Sequence, residues 1–116
     1  MEHKENIIED VYKFIVFLSP ILEKFPRSQK FLMADRIQVK TLDILDVVIE
    51  AYYEKKDIKY ILLREVNFKL EQLRYLVRIS YELKLITPKQ YGNISKEIQS
   101  IGSKAGGWLK SLNEDA

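Results

Sequence analysis

The sequence has no cysteine, four glycines and three prolines among its 116 residues. Without cysteine, the chain cannot form a disulfide and offers neither a thiolate nucleophile nor a cysteine-based metal site. Because glycine and proline are the main helix breakers, their scarcity permits long helices over most of the chain. No apolar run approaches the roughly 20 residues that a membrane-spanning helix needs. Residues 1–6 are polar and acidic, unlike a signal peptide. We therefore expect a cytoplasmic protein that does not contact a membrane.

The residue sets that catalysis needs are also missing. His3 is the only histidine, and at the terminus it has no visible support as a base or a metal ligand. Asp43, Asp46 and Glu50 follow helical spacing, but the di-metal sites of helical bundles use Glu-x-x-His pairs, and the chain has none. No phosphate-binding glycine loop, nucleophile elbow or zinc spacing is present. We expect a protein that is not an enzyme and has no cofactor and no metal, and whose acidic row is a solvated face.

Apolar residues make up 47% and charged residues 31% of the chain, which is typical of a globular domain. The length suits a single domain over residues 1–116 with a modest core. The net charge of +2 does not by itself predict nucleic-acid binding. Its distribution is uneven: residues 1–25 carry three lysines and five acids, while residues 57–86 carry six basic residues and four acids. Any electropositive surface is therefore expected on the later helices.

Periodicity and helix breakers predict four helices, over about residues 6–25, 28–55, 57–85 and 88–112. Because the connections are short, neighbouring helices should be antiparallel. The predicted fold is all-α, an up-down-up-down antiparallel four-helix bundle.

Local residues predict where these helices begin and end. Pro20 should kink or break the first helix, and the Phe25-Pro26 pair should end it. Ser28 and Asp57 are predicted N-caps of the second and third helices. The strongest signal is the segment 87–90, Thr-Pro-Lys-Gln, in which threonine caps, proline suits the first helical position and glutamine completes a capping box.

The first two helices carry more apolar residues than one core needs. The predicted core stripes of the four helices are Ile8, Val11, Ile15, Leu18, Leu22 and Phe25; Leu42, Leu45, Ile49 and Tyr52; Leu62, Val66, Leu73, Leu76, Val77 and Leu83; and Tyr91, Ile94, Ile98, Ile101, Ala105, Trp108 and Leu112. Further apolar residues flank the first two stripes: Ile7, Phe14, Val16, Phe17 and Ile21, then Ile37, Ile44, Val48 and Ala51. Large exposed apolar patches are rare on monomers, so the surplus favours a homo-oligomer. Irregular packing around the first helix is the alternative.

Arginines form a polar stripe on the third helix. Arg64, Arg74 and Arg78 share one side, where Glu71 and Glu82 lie three and four residues from an arginine. Local salt bridges explain this stripe, or it forms an electropositive surface for phosphate backbones or an acidic protein. Four lysines would extend that surface, and three tyrosines would either stack on bases or pack in the fold. These residues are Lys40, Lys55, Lys56, Lys59, Tyr52, Tyr53 and Tyr60.

The segment 101–108, Ile-Gly-Ser-Lys-Ala-Gly-Gly-Trp, places three glycines in the last helix, where each costs roughly 1 kcal/mol relative to alanine. Gly102 and Gly106, four residues apart, suit close approach of another helix. Alternatively, Gly106 and Gly107 loosen the helix so that Trp108 turns into a pocket.

Five segments together resemble one known family. They are Glu23–Ser28 with its Phe-Pro pair, Ala51–Tyr53, Leu73–Arg78, Ile101-Gly102, and Gly106–Lys110 with its Gly-Gly-Trp motif. The chain resembles the accessory variability determinant proteins of diversity-generating retroelements. This family lies within a broader four-helix-bundle group that includes proteins encoded by intervening sequences in bacterial 23S ribosomal RNA genes. The Phe-Pro pair is common to both branches, whereas the Gly-Gly-Trp ending favours the retroelement branch.

The resemblance implies a barrel-shaped homopentamer that associates with a reverse transcriptase and binds RNA or DNA through basic surfaces. It also implies support of mutagenic reverse transcription without catalytic residues. Arg74 and Arg78 match the family pattern and are the expected binding residues, and the helix-face argument adds Arg64. In the alternative branch, the protein would be a bundle of unclear role that binds ribosomal RNA.

Overall fold

The computed structural model describes the backbone of residues 2–114 and the side chains of residues 7–113, so the His3 side chain lies outside the described part. Four helices make up this region. They are α1 (Glu2–Glu23), α2 (the consecutive segments Arg27–Gln29, Lys30–Ala34 and Asp35–Tyr53), α3 (Lys56–Glu82) and α4 (Pro88–Glu114). The middle segment of α2 is π-helical. The predicted all-α four-helix bundle is confirmed.

Each helix packs against the next in the chain, and α4 closes the bundle against α1. Side-chain contacts join neighbouring helices. Asp10 of α1 forms an ion pair with Lys104 of α4. Lys40 Nζ donates to Gln72 Oε1 at 2.8 Å, which joins the middles of α2 and α3. Among residues 2–114, no helix combines the length and apolar character needed to cross a membrane.

The core face of α1 differs from the predicted stripe. Ile7 and Phe14, which the sequence placed on the flank, are buried. Ile8 and Ile15, predicted for the core, are only half-buried. The apolar arc of α1 is wide enough to offer two candidate core faces, and packing against α2 and α4 selects between them.

In α2 the prediction is wrong in the same way. The residues predicted as a flank (Ile37, Ile44, Val48 and Ala51) are fully buried, together with Val47 and the hydroxyl-bearing Thr41. Leu42 and Ile49, predicted for the main stripe, are 42% and 38% exposed. In α3 the predicted stripe is correct in its centre, but Leu83 is 52% exposed. In α4 every predicted residue is buried except the half-buried Tyr91.

The helix ends show both correct and wrong predictions. The backbone leaves the helix after Glu23, just before Phe25 and Pro26, as predicted. Pro20 does not break α1, which continues through it, and the alternative of a kink stays a prediction. Pro20 is exposed, so water can reach the carbonyl that its missing N–H leaves unpaired. Ser28 is not an N-cap: it lies inside the first turn of α2, where Pro26 holds the cap position.

At the start of α3, Lys55 holds the cap position, so the predicted Asp57 cap is also wrong. The capping box at the start of α4 is confirmed. The Thr87 N–H donates to Gln90 Oε1 at 2.9 Å, and the Gln90 N–H donates to Thr87 Oγ1 at 3.0 Å. Two backbone donors that the helix leaves free are thereby satisfied.

The turn between α3 and α4 places Lys84 in a left-handed conformation, with φ 62°. The Leu85 N–H bonds the Ser80 carbonyl at 2.8 Å, and the Lys84 N–H bonds the Tyr81 carbonyl at 2.9 Å. This pair of bonds is the Schellman motif, whose left-handed position is usually glycine. A Cβ at this position crowds the backbone, so the turn carries steric strain.

We expect Lys84→Gly to raise the free energy of unfolding by about 1 kcal/mol, because it removes that strain. Urea unfolding followed by circular dichroism measures the change. Lys84→Ala is the matched control: it removes the same charge but keeps the Cβ, and it should bring no gain. Equal gains for both variants would show that the lysine charge, and not the backbone, limits stability.

Candidate functional site

The polar side of α3 faces α4 across a cleft. One part of the cleft, about 220 Å³ in volume, is lined by Glu71, Arg74, Tyr75 and Arg78 of α3 and by Tyr91 and Ser95 of α4. A second part, about 380 Å³, continues along the helices and is lined by Asn67, Leu70, Glu71, Arg74, Gln99, Gly102 and Ser103. Glu71 and Arg74 line both parts, so they lie where the two meet. We call the whole feature the α3–α4 cleft.

Arg74 is held in this cleft by two neighbours. Its Nη1 donates to Glu71 Oε1 at 2.8 Å in an ion pair. Its Nη2 lies over Gly102, where an added Cβ would come within 3.3 Å of it. The predicted close approach of another helix is therefore found at Gly102, where side chains of α3, Arg74 and Leu70, are the neighbours, but not at Gly106, which has nothing within 4 Å.

Arg78 differs from Arg74. The predicted salt bridge to Glu82 is not formed, and within residues 7–113 the Arg78 guanidinium has neither an ion pair nor a hydrogen bond. Local salt bridges thus explain Arg74 but not Arg78. With Glu71 included, the smaller part of the cleft, about 220 Å³, holds two positive charges and one negative charge.

Aromatic rings form the remaining wall. Tyr91 is stacked on Tyr81, with ring centroids 4.4 Å apart and planes 6° from parallel. Both are half-buried, so the stack holds the Tyr91 ring at the edge of the cleft. Tyr75, on the α3 side, is 57% exposed. These rings were not among the tyrosines that the sequence singled out, although Tyr75 and Arg78 are only three residues apart on one helix.

The predicted basic surface does not form one continuous patch. Arg64 is exposed on α3, but ten residues from Arg74 correspond to about 15 Å along the helix. Lys40 is half-buried and bonds Gln72 on the α2–α3 side of the bundle. Lys40 lines neither part of the α3–α4 cleft, and its place on a binding surface stays a prediction.

Lys59 has a structural role instead of a place on the predicted surface. Its Nζ donates to the carbonyls of Tyr52 and Glu54, at 3.3 and 2.5 Å. These are among the carbonyls left without partners at the end of α2, where a positive charge is favourable. Lys55 and Lys56 are exposed beside it. With Tyr60 they line a hollow of about 540 Å³ at the end of the bundle, away from the α3–α4 cleft.

The other two tyrosines that the sequence singled out contact each other at the end of α2. The rings of Tyr52 and Tyr53 meet edge to face, with centroids 4.9 Å apart. Tyr52 is half-buried, whereas Tyr53 is 80% exposed at the end of α2. Neither lines the α3–α4 cleft.

The family motifs are mainly structural. Phe25 and Trp108 are buried in the core, 3% and 1% exposed, and Pro26 separates α1 from α2. Trp108 Nε1 has no hydrogen-bond partner in the described region. An added Cβ at Gly106 or Gly107 would meet nothing within 4 Å, and α4 continues through both. Trp108 is thus buried without a break in the helix, and the alternative that Gly106 and Gly107 loosen it stays a prediction.

Two exposed apolar faces lie on neighbouring helices. The α2 face consists of Val39, Leu42, Ile49 and Tyr53, and the α3 face of Ile61, Phe68 and Ile79. At 3.6 residues per turn they cover about 80° and about 20° of arc. The sequence missed the α3 face, although Ile61 and Phe68 are seven residues apart. The described part of α4 exposes no large apolar side chain.

Within the described region, no group of three or more His, Cys, Asp or Glu side chains is placed to hold a metal ion. The family model described as bAvd-like matches residues 6–112, a span that includes nearly all of the four helices. No curated protein matches the chain.

Two substitutions in α4 separate helix propensity from the contact with Arg74. Gly106→Ala should raise the free energy of unfolding by up to about 1 kcal/mol, because the new Cβ meets open space. Gly102→Ala should gain less, since its Cβ must displace the Arg74 guanidinium. Urea unfolding of both variants measures the difference. Equal gains would show that Arg74 is not held against α4.

Proposed function

The chain belongs to the bAvd-like family, and on that premise we propose that it is a non-catalytic accessory protein of a diversity-generating retroelement. In this role it binds nucleic acid and a reverse transcriptase during mutagenic reverse transcription. The reverse transcriptase as a partner rests on family membership, which also favours this role over that of an intervening-sequence protein.

Nucleic-acid binding is supported by one observation above all, the unpaired guanidinium of Arg78 in the α3–α4 cleft. A guanidinium group forms paired hydrogen bonds with phosphate oxygens and keeps its charge at any physiological pH. Arg74 lies one turn away, and Glu71 neutralises only one of the two arginines. The excess positive charge beside exposed tyrosine rings is the composition expected where a nucleic-acid strand binds.

Self-association of the chain is part of the proposal. Buried against a second copy, the α2 and α3 faces would account for the apolar surface that the bundle core leaves exposed. The α2 face also carries two acidic side chains, Asp35 and Asp46, within or beside it.

Contact between two different faces repeats from copy to copy and can close into a ring. The expectation of five copies in the ring comes from the family resemblance alone. In such a ring, α4 and the polar side of α3 would remain open to solvent, because the described part of α4 has no exposed large apolar side chain to cover.

The nucleic-acid proposal is tested by measuring the affinity for a short RNA strand at several salt concentrations. Replacing Arg74 and Arg78 together with glutamine should weaken binding at least about tenfold. It should also lower the slope of log affinity against log salt by about 1 for each phosphate that the variant no longer binds. Arg27→Gln with Arg36→Gln is the matched control, since both arginines are exposed on α2. An equal weakening in the two double variants would rule out a specific role for the cleft.

The self-association proposal is tested by light-scattering mass. The natural sequence should have a mass of several protomers, and Phe68→Glu should reduce it to one, because the charge cannot be buried in an apolar contact. Ser100→Glu, which adds the same charge at an exposed position of α4, should leave the mass unchanged. A natural sequence that is already monomeric would contradict the proposal.

A further inference from the structure

We propose that the smaller part of the α3–α4 cleft holds one unpaired nucleotide of a strand, with its phosphate at Arg74 and Arg78 and its base against Tyr75 and Tyr91. The inference rests on the proposed nucleic-acid binding and adds to it the form of the ligand. The site would take a nucleotide whose base is free, and not the outside of a duplex.

The charges match a single phosphodiester group. Arg74 and Arg78 are four residues apart, which places them about 6 Å apart along one side of α3. Arg78 is free to form a paired contact with phosphate, while Arg74 is shared with Glu71. Two arginines and one glutamate leave one positive charge, which equals the single negative charge of a phosphate within a strand. A triphosphate would bring more negative charge and would be repelled by the Glu71 carboxylate.

The rings of Tyr75 and Tyr91 can stack on a base, whereas they offer no positive charge to a second phosphate. Tyr91 is braced on one face by Tyr81, at 4.4 Å and nearly parallel, so its position is fixed before a ligand arrives. Tyr75 extends from the opposite helix and is more than half exposed. Every base has a flat apolar face, and stacking on tyrosine therefore tolerates any sequence. The Ser95 hydroxyl and the Glu71 carboxylate lie in the same cleft and can accept hydrogen bonds from a base edge.

The size of the cleft sets the limit on the ligand. The part lined by Arg78 and Tyr91, about 220 Å³, is smaller than the roughly 300–1,000 Å³ of sites that enclose drug-sized molecules. One base is of the right order for this volume, whereas a base pair is not. In a duplex the base faces are covered by their neighbours, so only an unpaired or flipped-out base could reach Tyr91.

The test compares strands with and without bases. Fluorescence anisotropy of the full chain is measured with a labelled single strand, with the same strand carrying abasic residues, and with the corresponding duplex. The intact strand should bind about tenfold tighter than the abasic strand, since each stacked base contributes about 5-fold to 150-fold in affinity. The duplex should resemble the abasic strand.

Variants then locate the effect. Tyr75→Leu and Tyr91→Leu should each reduce binding of the intact strand towards the abasic level, and Tyr91→Phe should restore it because the ring is kept. Tyr12→Leu, at an exposed position of α1, is the control and should change nothing. Tyr91→Leu removes the Tyr81–Tyr91 stack and could destabilise the fold. Tyr75 is exposed, so Tyr75→Leu tests the proposal even in that case.

The outcomes separate the two proposals. Equal affinities for intact and abasic strands, with strong salt dependence, would overturn the base-binding cleft and leave the proposed function standing. Absence of binding to all three ligands would overturn both. A tenfold preference for bases that survives both tyrosine-to-leucine substitutions would also overturn the cleft, because the base would then bind elsewhere.

Discussion

The whole arrangement depends on one constraint: three of the four helices carry more apolar surface than the inside of one bundle can cover. The core takes one face of each helix, from Ile7 in α1 to Leu112 in α4. What remains on α2 and α3 includes side chains as large as Tyr53 and Phe68, 80% and 62% exposed. The fourth helix alone is apolar on one side only. Its polar side, together with the polar side of α3, is therefore where a cleft lined by charged groups can stay open to solvent.

How far the sequence predicts this structure depends on the range of the interaction concerned. Thr87 and Gln90 were predicted correctly as a capping box because both partners lie within one turn. The core face of α2 was not predicted correctly, because Leu42 and Ile44 both fit the helical period. Packing against the neighbouring helices determines which of them is buried. Lys59 shows a third limit. A long flexible side chain reached the carbonyls at the end of α2, and spacing along the chain does not reveal such a contact.

The candidate site follows the same pattern. Arg74 and Arg78 were found because they share one side of one helix, and the Arg74–Glu71 pair followed from their spacing. The contribution of α4 was not predictable, since Tyr91, Ser95 and Gly102 join the arginines only through packing of two helices. Gly102 was noticed in the sequence, but its neighbour is an arginine side chain of α3. Sequence periodicity therefore locates one wall of the cleft, and the tertiary structure supplies the other.

The π-helical segment Lys30–Ala34 affects the geometry of the connection between α1 and α2. A π-helical turn holds about one residue more than an α-helical turn, so it acts as a one-residue insertion within an otherwise regular helix. One extra residue corresponds to a rotation of about 100° about the helix axis. The residues before the π-helical segment, including Phe25 and Pro26, are therefore rotated by that angle from where a regular α-helix continuing Asp35–Tyr53 would place them. The direction of α1 relative to α2 thus depends on the number of residues in the π-helical segment as well as on their chemistry. Deleting a single residue between 30 and 34 would convert the π-helical segment into regular α-helix. The same deletion would rotate the connection between α1 and α2 away from the core that now buries Phe25.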